Sequence, residues 1–223
     1  MKIERKSIDG GEYRLPAILI RPARPKGAAV IVHGYGGNKE EQLGLAFVAA
    51  ESGLSVCAFD LRGHGEHPLP LDAGIVDDVA AAIAFSRQFG KVTAIGHSLG
   101  GRLALLSDAD YTIGISPSLA KTYSEQTQEI LRAVRTYRVR PQDLSALLAV
   151  QAALPVWDPV KAAGTAAILY AERDAPEIVA DCKTMAASGA KAECIRGTLH
   201  SDIFNHERTF AAVGELVREW YGE

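Results

Sequence analysis

What is scarce in this chain excludes several classes of protein before any motif is read. Cysteine occurs three times in 223 residues, at Cys57, Cys182 and Cys194. An odd number at scattered spacing makes neither a disulfide framework nor the paired ligands of a zinc site. Cys57 and Cys194 fall in strand-like runs, so these thiols are expected to be small buried groups. No apolar run approaches the roughly 20 residues that a membrane-spanning helix needs. The opening residues, Met1-Lys2-Ile3-Glu4-Arg5-Lys6, lack the apolar stretch of a secretory signal, so a reducing, cytoplasmic setting is the expectation. There is no excess of one charge either. Lys plus Arg number 24 and Asp plus Glu 27, a net charge of −3, which gives no electrostatic reason to expect a nucleic-acid partner. Internal repeats and low-complexity segments are missing too. What remains is an ordinary globular balance, 48% apolar and 23% charged, expected to form a single domain over residues 1–223.

The apolar pattern alternates between two kinds of run. Asp9-Gly10-Gly11 separates two β-runs, Lys2–Ile8 and Tyr13–Ile20, as a hairpin would. Ala28–Val32, Leu54–Leu61, Val92–Ile95, Tyr111–Ile115, Ala166–Tyr170 and Ala192–Ile195 are short and continuously apolar, as expected of strands covered on both faces. Helical spacing lies between them. Asn38 with Glu41 opens the first helix, and Leu43, Ala46, Phe47 and Ala50 form its stripe. Ile75, Val79 and Ile83 mark a second helix, Ile178, Cys182 and Met185 a later one, and Ile203 to Trp220 the last. Strands alternating with helices predict an α/β fold: a mostly parallel sheet of about eight strands with an antiparallel start, flanked by helices.

One interval breaks the rhythm. From Pro117 to Asp158 no strand pattern appears, and two helical ones do, Glu125–Tyr137 and Pro141–Leu154. Residues 118–157 are therefore expected to be a helical insertion over the strand ends, a lid, with Ile130, Val134, Leu144 and Leu148 facing inward; two extra helices packed on the side is the alternative.

Ligands of an open α/β sheet bind beyond the carboxyl ends of its strands, so the polar residues just after each strand matter most. Ser98 lies in Gly96-His97-Ser98-Leu99-Gly100-Gly101, between a strand and a helix. Glycines two residues either side of it suit a turn too tight for a Cβ, one that holds the hydroxyl clear of the sheet. Asp174 follows the strand ending near Tyr170, and His200 follows the last strand. Glu172 and Asp202 remain alternatives to Asp174, while Asp158 reads as a turn or cap. A serine hydroxyl needs a base to attack at neutral pH, histidine titrates in the right range, and a carboxylate can orient it.

Four motifs in this order, His33-Gly34-Tyr35-Gly36-Gly37, Asp60-Leu61-Arg62-Gly63-His64-Gly65, the Ser98 turn and Ala171-Glu172-Arg173-Asp174, resemble the α/β-hydrolase family over nearly the whole chain. Ala171 departs from the glycine more usual there. The resemblance implies a serine esterase- or lipase-like enzyme with catalytic Ser98, Asp174 and His200, an oxyanion hole made by the backbone N–H groups of Tyr35 and Leu99, and neither a metal nor an organic cofactor. The expected partner is a small-molecule ester, small or medium in size and apolar. Thioesters, other acyl transfers and C–C hydrolysis would use the same three groups, and a hydrolase-fold protein that only binds a ligand is a rival from another class. Two further patterns carry less. Gly34-x-Gly36 before a helix suggests a dinucleotide site, but Lys39 stands where its third glycine belongs. Asp60, His64, Glu66 and His67 cluster as metal ligands do, but on a glycine-broken loop without a helical ligand face. His33, Arg62, His64 and His97 are expected to brace loops.

Overall fold

A computed structural model describes residues 1–222. Its centre is one eight-stranded sheet in the order β1-β2-β4-β3-β5-β6-β7-β8. The strands are β1 (Lys2–Asp9), β2 (Arg14–Arg21), β3 (Gly27–Val32), β4 (Leu54–Phe59), β5 (Val92–His97), β6 (Tyr111–Ile115), β7 (Ala166–Arg173) and β8 (Lys191–Leu199). β1 and β2 form an antiparallel hairpin, and β2 meets β4 antiparallel. From β4 onward every pairing is parallel. The predicted fold class is therefore the observed one.

Seven α-helices flank the sheet among the described residues: α1 (Leu43–Glu51), α2 (Ile75–Ser86), α3 (Leu99–Leu106), α4 (Glu125–Val134), α5 (Ser145–Ala153), α6 (Pro176–Ala187) and α7 (Glu207–Tyr221). All six residues of β3, β4 and β5 are buried, because successive side chains point to opposite faces and both faces are covered. Ala28, Val30 and Val32 of β3 join the core under α2, α3 and α5. Ala29 and Ile31 join the opposite core under α1 and α7. A smaller cluster around Trp157, Ile168, Ile178 and Cys182 seats α6.

Some local expectations shift. Asn38 accepts from the Glu41 N–H at 2.9 Å but caps a 3₁₀ turn, Glu40–Gln42, with α1 following it. The buried stripe of α1 is Leu45, Ala46, Ala49 and Ala50; Leu43 packs half-buried against it, and Phe47 turns outward. Cys57 and Cys182 are buried, but Cys194 is exposed. β8 is the sheet's edge and pairs only with β7, which leaves much of its length uncovered.

The insertion divides. Leu144, Leu147, Val150 and Leu154, on and beside α5, are core residues, whereas α4 has no buried residue. Ile130 lines a cavity at the strand ends, and Val134 is 51% exposed outside that lining. No helix is long and apolar enough to cross a membrane among the described residues.

Candidate active site

A strained turn joins β5 to α3. Ser98 has φ 56° and ψ −117°, a sparsely populated conformation for a residue with a side chain, kept only where neighbouring structure enforces it. The enforcement comes from glycine. A Cβ on Gly100 would fall 2.3 Å from the Val32 carbonyl oxygen, and one on Gly96 2.1 Å from that of Gly100. Helix and strand can approach this closely only without side chains, and the approach lifts the Ser98 hydroxyl above the sheet.

Two later loops reach it. His200, just past β8, places Nε2 3.1 Å from Ser98 Oγ. Its Nδ1 lies 2.7 Å from Asp174 Oδ1, just past β7. The Asp174 side chain is fully covered and the imidazole is 35% exposed. A carboxylate can only accept, so the imidazole Nδ1 carries the proton and Nε2 is left free to accept from the serine. Serine, histidine and aspartate, separated by up to 102 residues in sequence, form one hydrogen-bonded chain.

The surrounding polar groups hold this chain in place. His97 is fully buried, which with the charge of His200 keeps it well below its usual pKa and therefore neutral. Its Nε2 lies 2.8 Å from the His200 carbonyl oxygen, so it donates there and pins the loop. Ser116 holds the second oxygen of Asp174 through a short hydrogen bond. Ser116 was not singled out in the sequence, yet it follows β6, where the strand-end rule that found the other three would have found it. Glu172, by contrast, accepts from the Gly197 N–H at 2.9 Å, and Asp202 from the Leu199 N–H at 2.8 Å. Both brace the loop that carries His200 without touching its ring. Asp158 caps a turn through the Val160 N–H.

Leu99 is the first residue of α3, where backbone N–H groups lack intrahelical partners. The loop after β3 runs alongside: a Cβ on Gly34 would sit 3.1 Å from Ser98 Cβ, and Gly34, Tyr35 and Ser98 line one cavity. His33 fastens this loop, with Nε2 accepting from the Leu61 N–H at 3.0 Å and Nδ1 lying 2.8 Å from the Gly34 carbonyl oxygen. Lys39, 1% exposed, is ion-paired to Asp60 at 2.6 Å and to Glu66 at 2.7 Å. Asp60 also accepts from the Lys39 and Glu66 amides. Its acceptor capacity is thus spent on tying the two loops together. Arg62 grips the buried Asp78 at 2.9 Å, and His64 Nδ1 lies 2.9 Å from the Arg62 carbonyl oxygen.

Above Ser98 opens a cavity of about 290 Å³. Its walls are largely apolar, with Tyr123, Ile130, Leu131, Ile178 and Phe204, and its floor holds Ser98 and His200. This is room for a small or medium organic group beside a serine hydroxyl and an imidazole.

Comparison with known proteins agrees with this architecture. Residues 28–118 match the model of the alpha/beta hydrolase fold family. The uncharacterized protein YfhR of Salmonella typhimurium is 31% identical over 97 residues, 41% of this chain. That match spans about a third (33%) of the relative's own length. Among solved structures, an esterase of the archaeon Pyrobaculum calidifontis superposes with a TM-score of 0.65 at 22% identity, over 97% of this chain and 82% of that one. An esterase of Pyrococcus furiosus gives 0.73 at 16% identity, over 99% and 92%. An E-2-(acetamidomethylene)succinate hydrolase gives 0.72 at 17% identity, over 97% and 99%. Strand order, the strained serine turn and these likenesses together make this chain a protein of the alpha/beta hydrolase fold.

Proposed function

We propose that the protein is a serine hydrolase that cleaves a carboxylic ester through an acyl-enzyme intermediate. The observation that carries this reading is the unbroken contact from Ser98 Oγ to His200 Nε2, 3.1 Å, and from His200 Nδ1 to Asp174 Oδ1, 2.7 Å. Ser98 Oγ attacks the ester carbonyl while His200 Nε2 takes its proton, and Asp174 stabilises the imidazolium that results. The tetrahedral intermediate carries its negative charge on the former carbonyl oxygen, which the N–H groups of Leu99 and Tyr35 receive. Collapse breaks the bond to the alcohol, which leaves with the proton from His200. Water then repeats the sequence on the acyl-serine and releases the acid. The apolar cavity walls favour an apolar group on the substrate, and α4 forms the part of the insertion that overhangs the cavity. The family resemblance and the esterases of the same fold support the reaction class.

Hydrolysis of a series of 4-nitrophenyl esters from acetate to octanoate tests the reading. Wild type is expected to turn over at least part of the series, and Ser98→Ala to fall to background. Wild type inert toward every acyl length, or Ser98→Ala as active as wild type, contradicts it.

A further inference from the structure

The insertion and its flanks carry five arginines whose surroundings differ in one respect. Arg102 donates to the Ala120, Leu154 and Pro155 carbonyl oxygens. Arg132 donates to Gln128. Arg138 pairs with Glu41 at 2.8 Å and donates to the Gly36 carbonyl oxygen, and Arg140 donates to the His67 carbonyl oxygen. Arg135 alone of the five has no hydrogen bond or ion pair from its guanidinium among the described residues, and it lines the cavity above Ser98; Arg173, the other arginine on that lining, donates to the Gly197 carbonyl oxygen at 3.0 Å.

Its position is fixed rather than incidental. The Arg135 N–H closes α4 on the Leu131 carbonyl oxygen at 3.0 Å, and its own carbonyl oxygen accepts from the Arg138 N–H at 3.0 Å. The neighbouring Thr136 is buried and lies within 3.4 Å of the Tyr35 hydroxyl. The aliphatic stem runs over the loop after β3: a Cβ on Gly36 would come 2.9 Å from Arg135 Cβ and 3.1 Å from its Cδ. Glycine at 36, with φ +71°, is what lets the arginine cross there.

The anions nearby are already engaged. Glu41 is paired with Arg138, and Asp174 is held by His200 and Ser116. Glu177, near the rim, accepts from Thr127 and Ser124. Gln42, 2% exposed on the same cavity, leaves its buried Oε1 without a partner. An apolar cavity with an unmatched guanidinium on its wall is short of one negative charge, and a planar fork of donors suits a carboxylate best.

We propose that Arg135 binds a carboxylate of the substrate, so that this site takes esters carrying both an apolar group and a free carboxylate. This rests on the reading that the cavity above Ser98 is the substrate site, not on the ester reaction itself. Binding of 4-phenylbutyrate and its neutral counterpart 4-phenylbutyramide, measured by calorimetry, tests it without turnover. Wild type is expected to bind the acid about tenfold or more tightly than the amide. Arg135→Gln is expected to lose that preference and Arg135→Lys to keep part of it. Arg132→Gln, one turn earlier on the same helix, should leave it intact. Equal affinity of wild type for acid and amide, or a preference that survives in Arg135→Gln, overturns the proposal. Turnover gives a second readout: Arg135→Gln should raise KM for mono-4-nitrophenyl glutarate about tenfold while 4-nitrophenyl valerate changes little. Equal changes for the two esters overturn it as well. Acid-selective binding in a protein that turns over no ester would leave the carboxylate site standing and remove the esterase reading.

Discussion

Two stretches that meet at one cavity are built on opposite terms. Residues 28–118, the span that matches the family model, hold their shape by burial: every residue of β3, β4 and β5 is covered. The hydroxyl of Ser98 is aimed by backbones too close for side chains. Residues 124–138, α4 and the turn after it, hold theirs largely by polar ties. α4 buries none of its residues and is fastened by a Ser124 cap, by Thr127 on Glu177 and, just beyond it, by Arg138 on Glu41. The difference teaches a division of labour. Under the proposed function, packed sheet would hold the attacking hydroxyl, and the groups that choose the ligand would lie on a helix whose face can change cheaply.

The comparison sharpens most at Asp174. Asparagine there preserves size but offers Nδ1 an amide that can turn its donor toward the ring, which allows the wrong tautomer, so kcat is expected to fall about 10⁴-fold with KM little changed. Steady-state kinetics read it directly; a loss under tenfold would detach Asp174 from the reaction. Next come two truncations within the insertion itself. Leu147→Ala, at a fully buried core position, should cost about 2–5 kcal/mol of stability. Ile130→Ala, at a 53% exposed position on the cavity rim, should cost under about 0.5 kcal/mol and change KM instead. Equal losses in urea melts would break the distinction drawn between α5 and α4.

Acid provides a third test. The insertion contains no histidine, whereas His33, His64 and His97 are buried in the framework, and burial lowers the pKa of each. For His64 burial, with the charge of His33, pushes it from 6.5 down to about 3. The unfolded chain therefore binds a proton below pH 6.5 that the folded chain does not. Stability must fall as pH drops from 6.5 toward 3, by about 1.4 kcal/mol per pH unit for such a histidine. Urea midpoints unchanged between pH 7 and pH 5 would contradict this. The smallest kinetic effect is expected at Ser116→Ala, which frees one oxygen of Asp174 without removing the carboxylate; about tenfold in kcat is the expected loss. Ser116→Thr should restore most of it.

The framework was legible because burial on both faces writes uninterrupted apolar runs, and strands so written were located to within a residue or two. β7 and β8 continue past their apolar runs to Arg173 and Leu199, because the edge strand β8 and its neighbour keep pairing with each other after their side chains turn polar. The serine, aspartate and histidine could be listed in advance since each follows a strand on one rim. The choice of Asp174 over Glu172 and Asp202 could not be settled there, because Glu172 shares the end of β7 with Asp174, Asp202 follows His200 by two residues, and only loop geometry separates them. Periodicity also put Phe47 on the inward stripe of α1, where Leu45 and Ala49 are buried instead, and it placed Val134 toward the cavity although of that pair Ile130 alone lines it. Cys194 shows the same limit: alternation marks a strand but does not say whether anything covers it. Arg135 carried no signal at all, since a charged residue on an amphipathic helix reads as solvated surface until its neighbours are seen to be paired without it.

The central claim is that Ser98 becomes a nucleophile because His200 and Asp174 meet it at the end of the sheet. Intact-mass spectrometry after reaction with a fluorophosphonate tests this most directly. One adduct per chain on wild type, mapped to Ser98, absent from Ser98→Ala and strongly slowed in His200→Ala, is the predicted result. A wild-type protein that stays unlabelled, or an adduct that persists in Ser98→Ala, would contradict it.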